Sequence, residues 1–312
     1  MIYLISPLVF INFLSISDIV RKKLNIKDGL FNFFILTLIF PIIYVINSYL
    51  FIINLNTKIF TYFCVIFFFF TFILNFKNNI YYLKKIFYFK KNFIFIYFFF
   101  IYLLTQFPAF EEDSLRYHLP IAKKIINQTF YENTWFDYIA ISAHEFLNVF
   151  FLNLNIETGS ALINFFYLII ILIFAKSFRS KNLLIDQKKD NEFFFILIFI
   201  SSPYLLSLLT SQKLYILPCF IAVFTIVYLY LNYKNIKFNQ IFFLSLLSTF
   251  NIIIKITFLP YTLIFFIMCF FVIRTKYVKL ILYNFIFFII LYFPLTFIKF
   301  KIYHDPFIPL IS

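Results

Sequence analysis

The chain has 312 residues, is 63% hydrophobic and 13% charged, and contains 55 Phe but only two Gly. Soluble domains carry about a quarter charged residues, so this composition excludes a free globular enzyme and points to an integral membrane protein. A net charge of +14 would suggest nucleic-acid binding in a soluble chain, but basic residues collect in the cytoplasmic loops of membrane proteins, and no nucleic-acid partner is expected.

Apolar runs of roughly 20 residues, each able to cross about 30 Å of hydrocarbon, recur along the whole sequence. They predict an all-α, polytopic membrane protein of about ten transmembrane helices: 2–20, 30–53, 58–76, 92–108, 158–175, 193–210, 214–232, 239–256, 257–273 and 280–298. The first run lacks a basic leader and is followed by Arg21, Lys22 and Lys23, which suits a retained helix rather than a cleaved one. Loops 21–28, 77–91, 176–192, 233–238 and 274–279 hold most of the 27 Lys and Arg. They are therefore assigned to the cytoplasm, with both termini and loop 109–157 outside. Pro260 divides the stretch 239–273, and a lysine at mid-membrane would cost about 2.5–3.5 kcal/mol, so two helices with Lys255 near an outer turn are expected. Cys64, Cys219 and Cys269 lie in apolar runs without ligand spacing and read as packing residues. The two glycines form no phosphate-cradling loop, so ATP or NAD chemistry is not expected.

Loop 109–157 concentrates the polar chemistry. It holds seven of the 13 acids (Glu111, Glu112, Asp113, Glu132, Asp137, Glu145 and Glu157), Trp135, His118 and His144. Asp113 and Ser114 suit a helix start. The following residues to 128 alternate apolar positions with Arg116, Lys123 and Lys124, as in a helix lying in the interface with its apolar side down. Pro120 either kinks that helix or opens its second half. A second interfacial helix, 139–154, carries His144 and Glu145. A carboxylate at the lipid boundary flanked by Arg, His and Lys suits transfer from a lipid phosphate to a hydroxyl. The same acids at a helix start also suit a solvated cap beside the positive end of its dipole.

The segment FPAFEEDSLRYHLPIAKKI (107–125) resembles the first outer loop of the GT-C superfamily of membrane glycosyltransferases. Four further stretches resemble that family in order: AISAHEFLNVFFLNLNIETGSALINFF (140–166), SPYLLSLLTSQKLYILPCFIAVF (202–224), FNIIIKITFLPYTLIFF (250–266) and HDPFIPLIS (304–312). The match covers 92–312, a GT-C-like core ending sooner than in relatives, as in a truncated chain; 1–91 supplies three additional N-terminal transmembrane helices. The resemblance implies an inverting hexosyl- or pentosyltransferase using a polyprenyl-phosphate-linked sugar donor and a glycan or lipid acceptor of the cell envelope. It would work among membrane lipids of the bacterial inner membrane, with its large loop facing the periplasm or exterior. Asp113 is implied as the general base and Glu112 as its helper, which positions the acceptor or binds a divalent cation, the sole cofactor considered. Arg116, His118 and Lys124 are candidates for the donor phosphate, Tyr117 for the sugar, His144 and Glu145 for the acceptor side, Lys255 for substrate binding as an ionisable group among apolar helices, and His304 for closing the site. Basic and aromatic residues at this depth also serve as ordinary lipid-headgroup anchors.

Other classes fit less well. A transporter or flippase needs polar groups at mid-membrane and helix breaks, and here only Asp18 and Lys255 come near. An O-antigen polymerase or ligase would place its large loop late and fill it with arginines. A non-catalytic GT-C-like subunit would keep the fold without turnover.

Overall fold

The structure, a computed structural model, describes residues 2–87, 92–107, 118–128, 141–182 and 202–304. Among these, all regular structure is helical. The order is α1 (Ile2–Lys23), α2 (Phe31–Thr37), α3 (Ile39–Ile52), α4 (Thr57–Leu74), α5 (Phe76–Phe87), α6 (Asn92–Leu104) and α7 (Leu119–Asn127). There follow α8 (Ala143–Leu152), α9 (Gly159–Asn182), α10 (Pro203–Thr210), α11 (Ile216–Asn232), α12 (Phe238–Ile254), α13 (Leu259–Ile273) and α14 (Tyr277–Tyr303).

Among the described residues, four stretches are long and apolar enough to cross a membrane: Phe31–Ile52, Thr57–Leu74, Ile256–Ile273 and Tyr277–Lys301. Parts of α9, α11 and α12 are equally apolar but shorter. Ile66, Phe70 and Ile73 of α4, with Val278 and Phe285 of α14, stand 60% to 80% exposed. In water each such side chain would forgo about 1.5–3 kcal/mol of burial, so these faces mark a membrane-associated protein. Of the expected span 193–210, the part before 202 lies outside the described residues.

The interior is knit by asparagine and hydroxyl side chains, the polar contacts that hold helices together where lipid surrounds them. Asn12 donates to Thr71 Oγ1 (3.0 Å), Asn79 donates to Asn12 Oδ1 (3.1 Å), and Asn284 donates to Ser245 Oγ (2.8 Å). Asn79 lies on α5, so the expected loop 77–91 is helical as far as residue 87 and packs on α1. The span 30–53 breaks at Leu38 into α2 and α3. Pro41 cannot donate to the carbonyl four residues earlier, and the Thr37 hydroxyl bonds back to Phe33 O (2.6 Å). The chain also divides between α12 and α13, as Pro260 implied, with Pro260 in the first turn of α13.

Helices from both halves of the sequence share one core. The Tyr44 hydroxyl donates to Leu291 O (2.6 Å), Asn47 donates to Phe146 O (3.1 Å), and the hydroxyls of Thr37 and Tyr167 meet at 2.7 Å. With glycine scarce, left-handed positions after α1, α3 and α8 fall to Asn25, Asn54 and Asn155 (φ 54°, 56° and 58°), the residue type that best tolerates them after glycine. Cys269 is buried, Cys64 is partly buried and Cys219 is exposed, so the packing reading does not extend to Cys219.

The ends of the bundle differ in chemistry. At one end Lys237 of the α11–α12 turn donates to Asn25 O of the α1–α2 turn (3.0 Å). At the other, α7 and α8 lie against one another beside the end of α3 and the starts of α4 and α9. There Asn153 donates to Thr57 and Thr61, both at 3.1 Å.

Candidate functional site

Two short helices outside the candidate spans build the site. α7 opens on His118 and Leu119, with Pro120 in its first turn where no amide donor is lost. Its apolar residues Leu119, Ile121, Ala122 and Ile125 are buried, and the helix packs on α8. The expected interfacial helix is therefore present over 119–127, but its apolar side faces protein rather than lipid; residues 114–117 lie outside the described chain.

α8 starts at Ser142, whose hydroxyl accepts the His144 N–H (3.2 Å) while Glu145 Oε2 accepts the Ser142 N–H (2.7 Å). This capping box uses one carboxylate oxygen; the Ser142 hydroxyl also donates to it (2.7 Å). The other oxygen, Oε1, accepts from His118 Nδ1 at 2.6 Å and lies 3.4 Å from His144 Nδ1. Glu145 is fully buried and the His118 side chain is 16% exposed, so a carboxylate inside the protein aims an imidazole outward.

Burial alone would push the Glu145 pKa up, but the hydrogen bonds of the two imidazoles, His118 first, outweigh it and hold the carboxyl well below its usual range. A carboxylate only accepts, so His118 Nδ1 carries the proton and Nε2 is left for other work. Burial lowers the pKa of His144 against the pull of Glu145, so His144 stays neutral. The Asn148 amide meets His144 Nε2 at 3.1 Å, Ser160 Oγ stands 3.1 Å from the same nitrogen, and Ser160 donates to Asn148 Oδ1 (2.6 Å). His144 is thus a fixed strut between α8 and the start of α9, and His118 is the outward-facing ring, with 4.8 Å between ring centroids.

Asn164 of α9 holds the α10–α11 turn beside this cluster. It donates to Leu208 O (3.0 Å) and Lys213 O (2.7 Å) and accepts from Tyr215 N (3.2 Å) and Ile216 N (3.1 Å). The backbone of Gln212 from that turn reaches the His144 ring. From α14, Lys299 lies within electrostatic reach of Glu145.

Of the residues the sequence singled out, the structure brings His118, His144 and Glu145 together. Lys124 lies in the last turn of α7. Lys255 is exposed at the α12–α13 turn, its ammonium 5.0 Å from the centre of the Tyr215 ring. His304 is exposed in a left-handed position (φ 60°) at the end of α14. Asp113, Glu112, Arg116 and Tyr117 lie outside the described residues. Ser142, Asn148, Ser160, Asn164 and Lys299 were not foreseen. Ser142-x-x-Glu145 is a legible capping signature, and Asn148 stands one turn after His144. The other three become neighbours only through tertiary packing.

The donor atoms of His118, His144 and Glu145 lie within 4.8 Å of one another, a set able to hold a divalent cation. Two ligands on one zinc ion stand about 3.3 Å apart, whereas the His118–Glu145 contact is a 2.6 Å hydrogen bond. A cation would therefore have to replace that hydrogen bond, and the donors that now stand up to 4.8 Å apart would have to close in around it. Comparison with family models, curated proteins and solved structures returns no match for this chain.

Proposed function

We propose that the chain is an inverting GT-C-type glycosyltransferase of the bacterial inner membrane. It moves a sugar from a polyprenyl-phosphate donor to a glycan or lipid acceptor of the cell envelope at the outer face. The observation that carries this reading is the buried, ionised Glu145 holding, through one ring nitrogen, the partly exposed His118. A carboxylate that orients an imidazole is a recurrent device for handling protons and leaving groups.

In the reaction, the acceptor hydroxyl passes its proton to the carboxylate of Asp113, and the acceptor oxygen attacks the anomeric carbon from the face opposite the phosphate. The bond from that carbon to the phosphate oxygen breaks, and its electron pair leaves on the polyprenyl phosphate. His118 Nε2 and the ammonium of Lys299 hold the negative charge that gathers there. One base and an in-line approach suffice for inversion. Where a divalent cation occupies the His118, His144 and Glu145 donors, it adds positive charge for the same phosphate. The positive-inside bias assigns the Lys237–Asn25 end to the cytoplasm and this site to the exterior.

The test is sugar transfer by protein reconstituted in liposomes containing polyprenyl-phosphate mannose, glucose or arabinose and a cell-envelope lipid extract. The wild type transfers at least one of these sugars with inversion, and Asp113→Asn lowers the rate about 10²–10⁴-fold without changing insertion. Transfer at the wild-type rate by Asp113→Asn moves the base elsewhere, and no transfer of any sugar contradicts the reading.

A further inference from the structure

Beside the histidine cluster, the outer ends of α6, α7 and α8 enclose a cavity of about 340 Å³ lined by Gln106, Lys123, Ile126, Leu152, Asn155, Glu157 and Thr158. We propose that this cavity binds one neutral sugar unit of the acceptor. The substrate class rests on the transferase reading; the binding site itself does not.

Size is the first ground. The volume sits at the small end of the roughly 300–1,000 Å³ typical of small-molecule sites, which suits a mono- or disaccharide better than a lipid tail. Charge is the second. Lys123 Nζ and Glu157 Oε1 pair at 3.0 Å, so the lining carries one positive and one negative group that cancel. An anion such as phosphate would have to break that pair, while an uncharged polyol would not.

Unmet hydrogen-bonding capacity is the third ground. Thr158 is 2% exposed, and its hydroxyl has no hydrogen-bond partner. Gln106 gives its amide nitrogen to Tyr102 O (3.2 Å) and Thr105 Oγ1 (2.9 Å), which leaves its buried Oε1 without a partner. A buried polar atom left in this state costs about 1–3 kcal/mol; both residues border the cavity, and each atom meets a ligand hydroxyl once its side chain turns toward it. Ile126 and Leu152 add an aliphatic floor for the C–H face of a sugar ring, and the Asn155 amide adds a further donor and acceptor at the mouth.

Position is the fourth. α7 and α8 run side by side with their first turns joined by the His118–Glu145 bond and their far ends by the cavity. Leu152 is seven residues beyond Glu145 on α8, a rise of about 10 Å. The cavity and His118 therefore lie at opposite ends of one helix pair, which separates the unit that is held from the hydroxyl that reacts.

The experiment is saturation-transfer NMR on the protein in nanodiscs with methyl mannoside, methyl glucoside and N-acetylglucosamine as probes and inorganic phosphate as a competitor. At least one sugar should show transfer to its ring protons, unaffected by millimolar phosphate. Thr158→Val, which keeps the side-chain shape, should weaken that binding about tenfold, the loss of roughly one hydrogen bond. Leu152→Trp, which fills the cavity and removes no polar group, should abolish it, and His118→Ala should leave it intact. No signal from any probe, unchanged binding in both cavity variants, or displacement by phosphate would overturn the proposal. Sugar binding without any sugar transfer refutes the enzymatic reading and leaves this site standing. Transfer without sugar binding in the cavity does the reverse.

Discussion

Asp18 and Glu145 are both carboxylates withdrawn from solvent, one near each end of the bundle, and their partners differ in kind. Asp18 takes Arg21 Nη2 at 2.6 Å, Lys22 Nζ at 2.8 Å and Asn32 Nδ2 at 3.2 Å. Arg21 then closes the α1–α2 turn by donating to Ile26 O (2.6 Å) and Lys27 O (3.0 Å). Arginine and lysine stay charged at any physiological pH, and this arginine's donors go to Asp18 and turn carbonyls, so the cluster is a staple. Glu145 is held by a serine and two imidazoles instead. One of these imidazoles, His118, keeps a ring nitrogen with no partner among the described residues. A shielded carboxylate thus serves structure where its partners are spent and, in the function proposed above, chemistry where one is not.

The sharpest break in the comparison comes from Glu145→Ala. It strips the acceptor from four donor contacts and should cost about 3–5 kcal/mol, read as a lowered denaturation midpoint, together with all transfer activity. His118→Ala should separate the two effects. Glu145 then loses one of its partners but keeps Ser142 and His144, so stability should fall by about 1–3 kcal/mol, less than for Glu145→Ala, while sugar transfer falls about 10²–10³-fold. Asp18→Asn should do the opposite, lowering stability by about 1.5–3 kcal/mol through the loss of charged hydrogen bonds, with transfer per folded molecule unchanged.

Gly159→Ala probes how closely the site's frame is built. An added Cβ would stand 2.2 Å from Phe151 Cγ, at the root of that side chain rather than at a movable tip. The turn from α8 to α9 must shift, and stability should fall by about 1–3 kcal/mol in thermal denaturation. The smallest effect is a pH slope. His144 has its pKa lowered by burial from the ordinary 6.5, so below that pH the unfolded chain takes up a proton that the folded one refuses. Stability is full above 6.5 and declines as the pH falls toward the lowered folded value. His144→Asn should flatten the slope of the melting temperature in that window. Glu145 adds its own loss of stability lower down, as the pH falls through the ordinary 4.5 at which the unfolded carboxyl takes up a proton that the folded one refuses.

Much of this architecture is legible in the residues themselves. Apolar runs foretell the helices, and Pro260 marks the α12–α13 break, because both signals are local. The α2–α3 break is harder to see, since Pro41 lies within an otherwise unbroken apolar run. The amphipathic α5 was hidden by its lysines, which look the same in a basic loop and on the polar face of a helix. In the site, His118, His144 and Glu145 stand out as polar residues beside apolar neighbours. Their separate roles do not, because only packing decides that His144 is buried as a strut while His118 faces outward. Lys299, Asn164 and Ser160 reach the cluster from helices far apart in sequence, and no local pattern announces such a meeting.

The most direct measurement is the rate of sugar transfer per folded molecule for His118→Ala and Asp18→Asn, reconstituted side by side with the wild type. The account predicts a loss of about 10²–10³-fold in the first and the wild-type rate in the second. Wild-type transfer by His118→Ala, or an equal loss in both variants, would contradict the assignment of the Glu145–His118 pair as the working end of the molecule.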